Sequence, residues 1–329
     1  VGVTVVIPCL NEEYYITDCL DSIIYNGFPL NDLEILVVDG GSSDNTLPII
    51  VEYRLRYPFI KLIENKKRKT PYALNLGIQQ ASFETVLIAG AHAIYPKGYL
   101  NDLYEKLAHP DIDVIGGAIE TKLKIDSPKT RAIQFVLTHR FGVGNSIFRI
   151  GATDLQKVDT VPFGLYKKEL FQKVGMYNEA LIRNHDMELS RRILAAGYSI
   201  WLDPTLNVTY FARESYLALA KNQYGNGFWN VKTLRITKRF SSLSLRHYIP
   251  LIFVLSILIP LMAGIFIHFL FYFFALISLV SYFSAIGLIA FKNLHKVNPI
   301  HLIGSFLILH FSYGLGSLMG FFSICNSNK

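Results

Sequence analysis

The chain has 329 residues, 51% of them hydrophobic, with 32 basic and 25 acidic side chains for a net charge of +7. That surplus comes with no interleaved aromatic and basic stacking motif, which excludes a nucleic-acid binder. Three cysteines, Cys9, Cys19 and Cys325, have neither metal spacing nor a pairing pattern and read as reduced packing thiols.

Val3 to Pro8 is a run of buried-strand residues stopped by Pro8 and followed by Cys9-Leu10-Asn11-Glu12-Glu13. Ile16, Leu20, Ile23 and Ile24 fall on one helical face, which Asn11 would cap and Gly27 would close. A second strand, Leu33 to Val38, delivers Asp39-Gly40-Gly41-Ser42-Ser43-Asp44-Asn45-Thr46. Asn45 to Arg56 then makes a helix with Asp44 as its cap, and Phe59 to Ile63 a third strand. Two apolar strands that each end in a polar turn opening a helix form the front edge of a parallel α/β sheet. Such sheets bind ligands at the carboxyl ends of their strands. Asp39, at the tip of the second strand, is placed to accept hydrogen bonds from a ligand's base or sugar hydroxyls. No G-x-G-x-x-G follows the first strand, which argues against a dinucleotide cofactor. The cations Lys66-Lys67-Arg68-Lys69 are either a solvated face or the partner of a phosphate group. Tyr72 to Ala81 is a helix containing Asn75, and Thr85 to Ala89 a fourth strand.

Composition then changes. All 25 acidic residues lie at or before Glu214, and nine basic ones follow it. Tyr248 to Phe291 runs 44 residues without a formal charge, and Val297 to Asn328 another 32. A helix needs roughly 20 apolar residues to cross a bilayer, so the first run fits two spans, turning near Ile265 to Leu270, and the second fits one. Lys232, Arg235, Lys238, Arg239 and Arg246 precede the first span, while Lys292 and Lys296 separate the second from the third. Positive flanks stay cytoplasmic. Three spans would therefore leave the N-terminal domain inside and Lys329 outside, in a multi-pass protein of the plasma (inner) membrane. Residues 231–247 alternate basic with apolar side chains, as an interfacial helix on anionic headgroups or a solvated linker would. No N-terminal signal sequence is read.

The pair VVIPCLNEE and LEILVVDGGSSDNT resembles the opening of the family 2 glycosyltransferases, and later segments extend the likeness to the succinoglycan-type, membrane-anchored subfamily. The resemblance implies a GT-A-type, Rossmann-like mixed sheet over residues 1–230, followed by the interfacial segment 231–247 and about three transmembrane helices over 248–329. It implies an inverting transfer of a hexose from a nucleotide sugar, a UDP-sugar by preference, to a lipid-linked saccharide. Donor-nucleotide contacts carried over are Pro8, Asn11, Glu12, Asp39, Lys69, Asn75 and Gly90.

The family's metal motif is altered. Gly90-Ala91-His92 stands where relatives place Asp-x-Asp or Asp-Ala-His to hold ribose and a divalent cation, Mn2+ or Mg2+. His92 alone suits Mn2+ better than Mg2+, and it is otherwise a packed turn histidine.

On the acceptor side, Asp159 to Gly164 and Gly175 to Glu179 resemble the segments before the family's base. Asp186, in Asn184-His185-Asp186-Met187-Glu188, matches that base, with His185 where many members have Glu. A carboxylate at a helix start is otherwise an N-cap. Glu188 would face away from it, and Arg191 and Arg192 are either structural or phosphate-binding. Acceptor contacts carried over are Gly164, His185, Arg191, Gln223 and Trp229, the last being also a candidate membrane-surface anchor. Two rivals stay open: a polyprenyl-phosphate glycosyltransferase, whose acceptor needs no base, and a degenerate binding protein that lost its chemistry with the first metal acid.

Overall fold

The computed structural model describes residues 2–323. Cys325 and Lys329 lie outside the described residues. The chain divides into two compact units, residues 1–120 with 147–210 and residues 121–146 with 211–329.

The first unit is built on nine strands: β1 (Val3–Cys9), β2 (Leu33–Asp39), β3 (Ile60–Glu64), β4 (Thr85–Ile88), β5 (Ala93–Ile94), β6 (Val114–Lys122), β7 (Gln156–Lys157), β8 (Leu165–Lys167) and β9 (Ile200–Phe211). Their order is β3-β2-β1-β4-β8-β6-β9-β5, with β7 on β9. β1 to β4 are mutually parallel, and β8 enters antiparallel between β4 and β6, so the sheet is mixed.

β1 and β2 are continuous apolar runs because both of their faces are covered. Val3, Val5 and Ile7 pack with Ile16, Leu20 and Ile23 of the helix Ile16–Ile24. Val6, Leu36 and Val38 point the other way, onto Ala73, Leu74 and Ile78 of the helix Thr70–Gln80. Cys9 pairs in register with Asp39 at the carboxyl edge of the two strands.

One charge interrupts this pattern. Glu34 is buried in β2, where its carboxylate accepts from Thr4 Oγ1 at 2.7 Å, Ser82 N at 2.8 Å, Ser82 Oγ at 2.7 Å and Lys61 Nζ at 2.7 Å. Burial alone would raise its pKa, but these bonds outweigh burial and lower it.

Two helix starts differ from expectation. The helix Ile16–Ile24 has Tyr15 at its cap, and Asn11 instead sits five residues upstream in left-handed backbone, φ 55°. The helix Thr46–Arg56 follows Asn45, while Asp44 spends its carboxylate on Thr46 N at 3.0 Å and Glu13 N at 3.2 Å. In both places polar side chains tie the two carboxyl-edge loops together rather than serving one helix.

The second unit is helical. Leu245–Phe266, Phe271–Lys292 and Pro299–Phe322 are long and apolar enough to cross a membrane. The helix Tyr216–Thr237 runs through the expected boundary at 230 without a break and is followed by short 3-10 turns at Phe240–Ser242 and Leu245–His247. Close packing explains its length. A Cβ at Gly227 would collide with the carbonyl of Tyr313, and one at Gly316 with the carbonyl of Tyr224, so this helix and the last one touch backbone to backbone. Residues 121–146, expected in the first domain, cluster here. Ile133 and Val136 of the helix Pro128–Thr138 share a core with Phe306 and Leu309, and Phe141 O accepts from His310 Nε2 at 3.0 Å.

Candidate active site

The carboxyl ends of β1, β2 and β4 open into a cavity of about 510 Å³, within the usual range for small-molecule sites. All of its lining residues belong to the first unit. Eight of the expected site residues meet there: Pro8, Glu12, Lys69, Gly90, His92, Gly164, His185 and Asp186.

The others do not line it. Asp39 is buried, and its carboxylate is taken up by its own turn. Oδ2 accepts from Gly41 N at 2.7 Å and Ser42 N at 2.9 Å, and Oδ1 from Ser42 Oγ at 2.5 Å. The strand-tip acid therefore shapes the loop whose neighbour, Gly40, reaches the cavity wall. Asn11 Oδ1 accepts from Ser43 N at 2.8 Å, stitching the same loop to the end of β1. Asn75 is buried and exchanges hydrogen bonds with Tyr177 N and O at 3.0 and 2.9 Å, fixing the loop before Asp186. Arg191 lies 3.9 Å from Asp159. Gln223 and Trp229 belong to the helix Tyr216–Thr237 of the second unit. Gln223 is buried there, and Lys232 Nζ stands 5.1 Å from the Trp229 ring centre.

Asp186 occupies the second position of the helix His185–Ala195. The cap position is Asn184, in left-handed backbone (φ 62°), and no side chain caps that end. Asp186 is thus not the N-cap, and its exposed side chain faces the cavity. Its neighbours are spent structurally. Glu188 is buried against Arg192, with Nε to Oε1 at 2.8 Å and Nη2 to Oε2 at 2.9 Å. Arg192 also donates to the carbonyls of Val174, Gly175 and Met176. His185 lines the cavity with Nδ1 shielded from solvent and without a hydrogen-bond partner. Burial pushes its pKa down, against opposing pulls from Asp186 and the backbone at Ile182 and Leu181, so the ring is neutral at pH 7.

The altered motif has a steric counterpart. A Cβ at position 90 would lie 2.6 Å from Phe163 Cε1. Phe163 holds unusual left-handed backbone, φ 49°, and Tyr99 OH donates to its carbonyl at 2.9 Å. Gly90 N donates to Tyr95 OH at 2.8 Å, fixing the other side. His92 Nδ1 lies 3.2 Å from Glu12 Oε1. Among the described residues no three His, Cys, Asp or Glu side chains gather into a metal-holding group. One imidazole already engaged with one carboxylate, beside a filled position 90, is a poor match to a hard cation that wants several oxygen ligands.

Sequence reasoning passed over Arg149 and Tyr210 in the cavity wall, named Phe163 only within the segment Asp159 to Gly164, and treated the four-cation run as one unit, which the structure divides. Arg68 and Lys69 line the cavity, whereas Lys66 is exposed and Lys67 Nζ lies 5.9 Å from the Tyr72 ring centre.

Residues 4–175 match the family model described as Glycosyl transferase family 2. The chain is 30% identical to a dolichyl N-acetyl-alpha-D-glucosaminyl phosphate 3-beta-D-2,3-diacetamido-2,3-dideoxy-beta-D-glucuronosyltransferase of Methanococcus voltae, over 78% of this chain and 81% of that one. It is 29% identical to the succinoglycan biosynthesis protein ExoA of Rhizobium meliloti, over 75% and 74% of the two chains. Among solved structures, the mannosyltransferase PcManGT of Pyrobaculum calidifontis, determined with GDP-Man and Mn2+, superposes with a TM-score of 0.61. That match has 19% identity over 96% of this chain and 86% of that one, a likeness of fold.

Proposed function

Because the chain belongs to glycosyltransferase family 2, we propose that it is an inverting hexosyltransferase that moves a sugar from a nucleotide sugar to a lipid-linked saccharide, with Asp186 as its base. One observation carries this reading. Asp186 faces the same cavity as the strand-end residues Pro8 and Gly40 and the helix-cap residue Lys69, without being used as a helix cap itself. The nucleotide lies over the carboxyl ends of β1, β2 and β4, and the acceptor hydroxyl enters beside Asp186. Its carboxylate takes the hydroxyl proton as the acceptor oxygen bonds the anomeric carbon from the face opposite the leaving group. The anomeric C–O bond breaks, and its electron pair leaves on the nucleoside diphosphate. His185, beside Asp186, completes the cavity wall with an uncharged ring.

The relatives support the acceptor class. One is named for a dolichyl-linked sugar phosphate and the other for succinoglycan biosynthesis. Three helices able to span a bilayer bring the enzyme to such a substrate. The basic residues before the first span and between the second and third support a cytoplasmic catalytic unit, by the rule that positive flanks stay inside.

The test is turnover of a panel of UDP- and GDP-sugars by the whole protein in nanodiscs, with short-chain polyprenyl-diphosphate saccharides and with bare polyprenyl phosphate. Transfer to the saccharide with inversion at the anomeric carbon is expected. Transfer to the bare phosphate alone would replace this reading by that of a polyprenyl-phosphate glycosyltransferase.

A further inference from the structure

A departing diphosphate needs its charge met, and position 90 does not supply a cation ligand. The cavity wall does hold permanent positive charge. Arg68, Lys69 and Arg149 line it, against the carboxylates of Glu12 and Asp186. Arg68 is fixed by its backbone. It takes left-handed conformation (φ 55°), its N–H donates to Asn65 O at 3.0 Å, and its Nη2 donates to Gly41 O at 3.3 Å. Asn65 is anchored in turn to the tip of β2, donating from N to Asp39 O at 2.7 Å, and its Nδ2 donates to Lys69 O at 3.0 Å. The segment 65–69 is therefore pinned beside the Asp39 turn.

Arg149 comes from the short helix Ile147–Ile150. Its guanidinium carbon stands 5.5 Å from the Phe148 ring centre and 5.7 Å from that of Tyr210. The Tyr210 ring also meets His92 edge-on at 5.6 Å. Arg149 and His92 thus flank one aromatic ring, which places Arg149 at the end of the cavity where the altered motif lies.

We propose that Arg149, together with Arg68 and Lys69, is the counter-charge for the nucleoside diphosphate in this chain, replacing a metal ion held at position 90. The proposal rests on the glycosyltransferase reading of the cavity. Guanidinium groups match phosphate oxygens through paired, charge-assisted hydrogen bonds. Held by rings and backbone, they need little rearrangement as the anomeric C–O bond breaks and negative charge grows on the bridging oxygen. Phe163 and the three cations are then two halves of one substitution: the ring fills the place of the lost acid, and the cations take over its task.

Calorimetry on the full chain in nanodiscs decides it, titrating UDP and GDP in EDTA and in Mn2+, with uridine and guanosine as controls lacking the diphosphate. One diphosphate should bind in EDTA within about threefold of its affinity in Mn2+. Arg149→Gln should weaken it about tenfold or more and Arg149→Lys less, while the matching nucleoside binds as before. Arg68→Gln should act in the same direction. Equal loss of nucleoside and diphosphate would make Arg149 structural and overturn the proposal. So would binding that requires Mn2+, disappears in Glu12→Gln and ignores Arg149→Gln. If neither diphosphate binds under any condition, the glycosyltransferase reading falls first and takes the proposal with it.

Discussion

Gly90 and Phe163 compete for one volume: the ring of Phe163 stands 2.6 Å from where a Cβ on residue 90 would be. Gly90→Asp on its own should therefore overpack the cavity wall, costing about 1–3 kcal/mol, and should create no cation site. Combining it with Phe163→Ala should recover part of the loss and make nucleotide affinity respond to Mn2+. Thermal unfolding of the two variants with and without Mn2+ checks this. A single Gly90→Asp variant as stable as the parent would show that Phe163 moves aside freely.

Asp186→Asn keeps size and the helix start, since the cap is Asn184, but removes the proton acceptor. General-base catalysis contributes typically ~10²–10⁴-fold. Transfer to a sugar hydroxyl should fall at least about a hundredfold, with the melting temperature and nucleotide affinity little changed. Transfer that survives the substitution would point to an acceptor already ionised, such as a lipid phosphate.

Asp39 carries three short hydrogen bonds within its own turn. Asp39→Ala should therefore act on stability as well as on binding, lowering unfolding free energy by about 1–3 kcal/mol. The loop at Gly40 should loosen, and hydrogen exchange at Gly41 and Ser42 should rise. Weaker nucleotide binding with unchanged exchange there would return Asp39 to direct ligand contact.

His185 sets a pH dependence. Burial holds its pKa below the ordinary value of 6.5, so the unfolded chain protonates first as acid is added. Its contribution to stability is fully present above about pH 6.5 and is lost progressively as the pH falls below that. His185→Gln should flatten the stability curve between about pH 5 and 6.5. Parallel melting series for the two proteins test this, and identical slopes would show the ring protonates without penalty.

The strand runs were legible because parallel strands covered on both faces leave little but apolar residues, as in Leu33 to Val38. The place of Asp186 at a helix start was legible from the segments around it. The sequence left a choice open where one residue type serves two purposes. Asp39-Gly40-Gly41-Ser42 looks like a ligand-gripping tip, yet an acid two and three residues ahead of free backbone N–H groups is also the signature of a self-bonded turn. Arg149 stood in a stretch broken into the four-residue helices Arg140–Val143 and Ile147–Ile150, too short to show a period. Phe163 takes its role from left-handed backbone, which bulky side chains rarely adopt and sequence does not announce. Ile133 and Val136 drew no reading from the sequence, and only the fold shows that they share a core with Phe306 and Leu309.

The glycine contacts between Tyr216–Thr237 and Pro299–Phe322 also set a schedule for synthesis. Gly227 lies against the carbonyl of Tyr313, and Gly316 against that of Tyr224, so this close face of the earlier helix stays uncovered until the final one has left the ribosome. At about 5–20 residues per second that wait lasts roughly 5 to 20 seconds. During it the newborn chain shows the uncovered face around Gly227 to chaperones, insertion machinery and proteases. A nascent chain arrested before Pro299 should be cut readily around Gly227, and one released after Phe322 should resist.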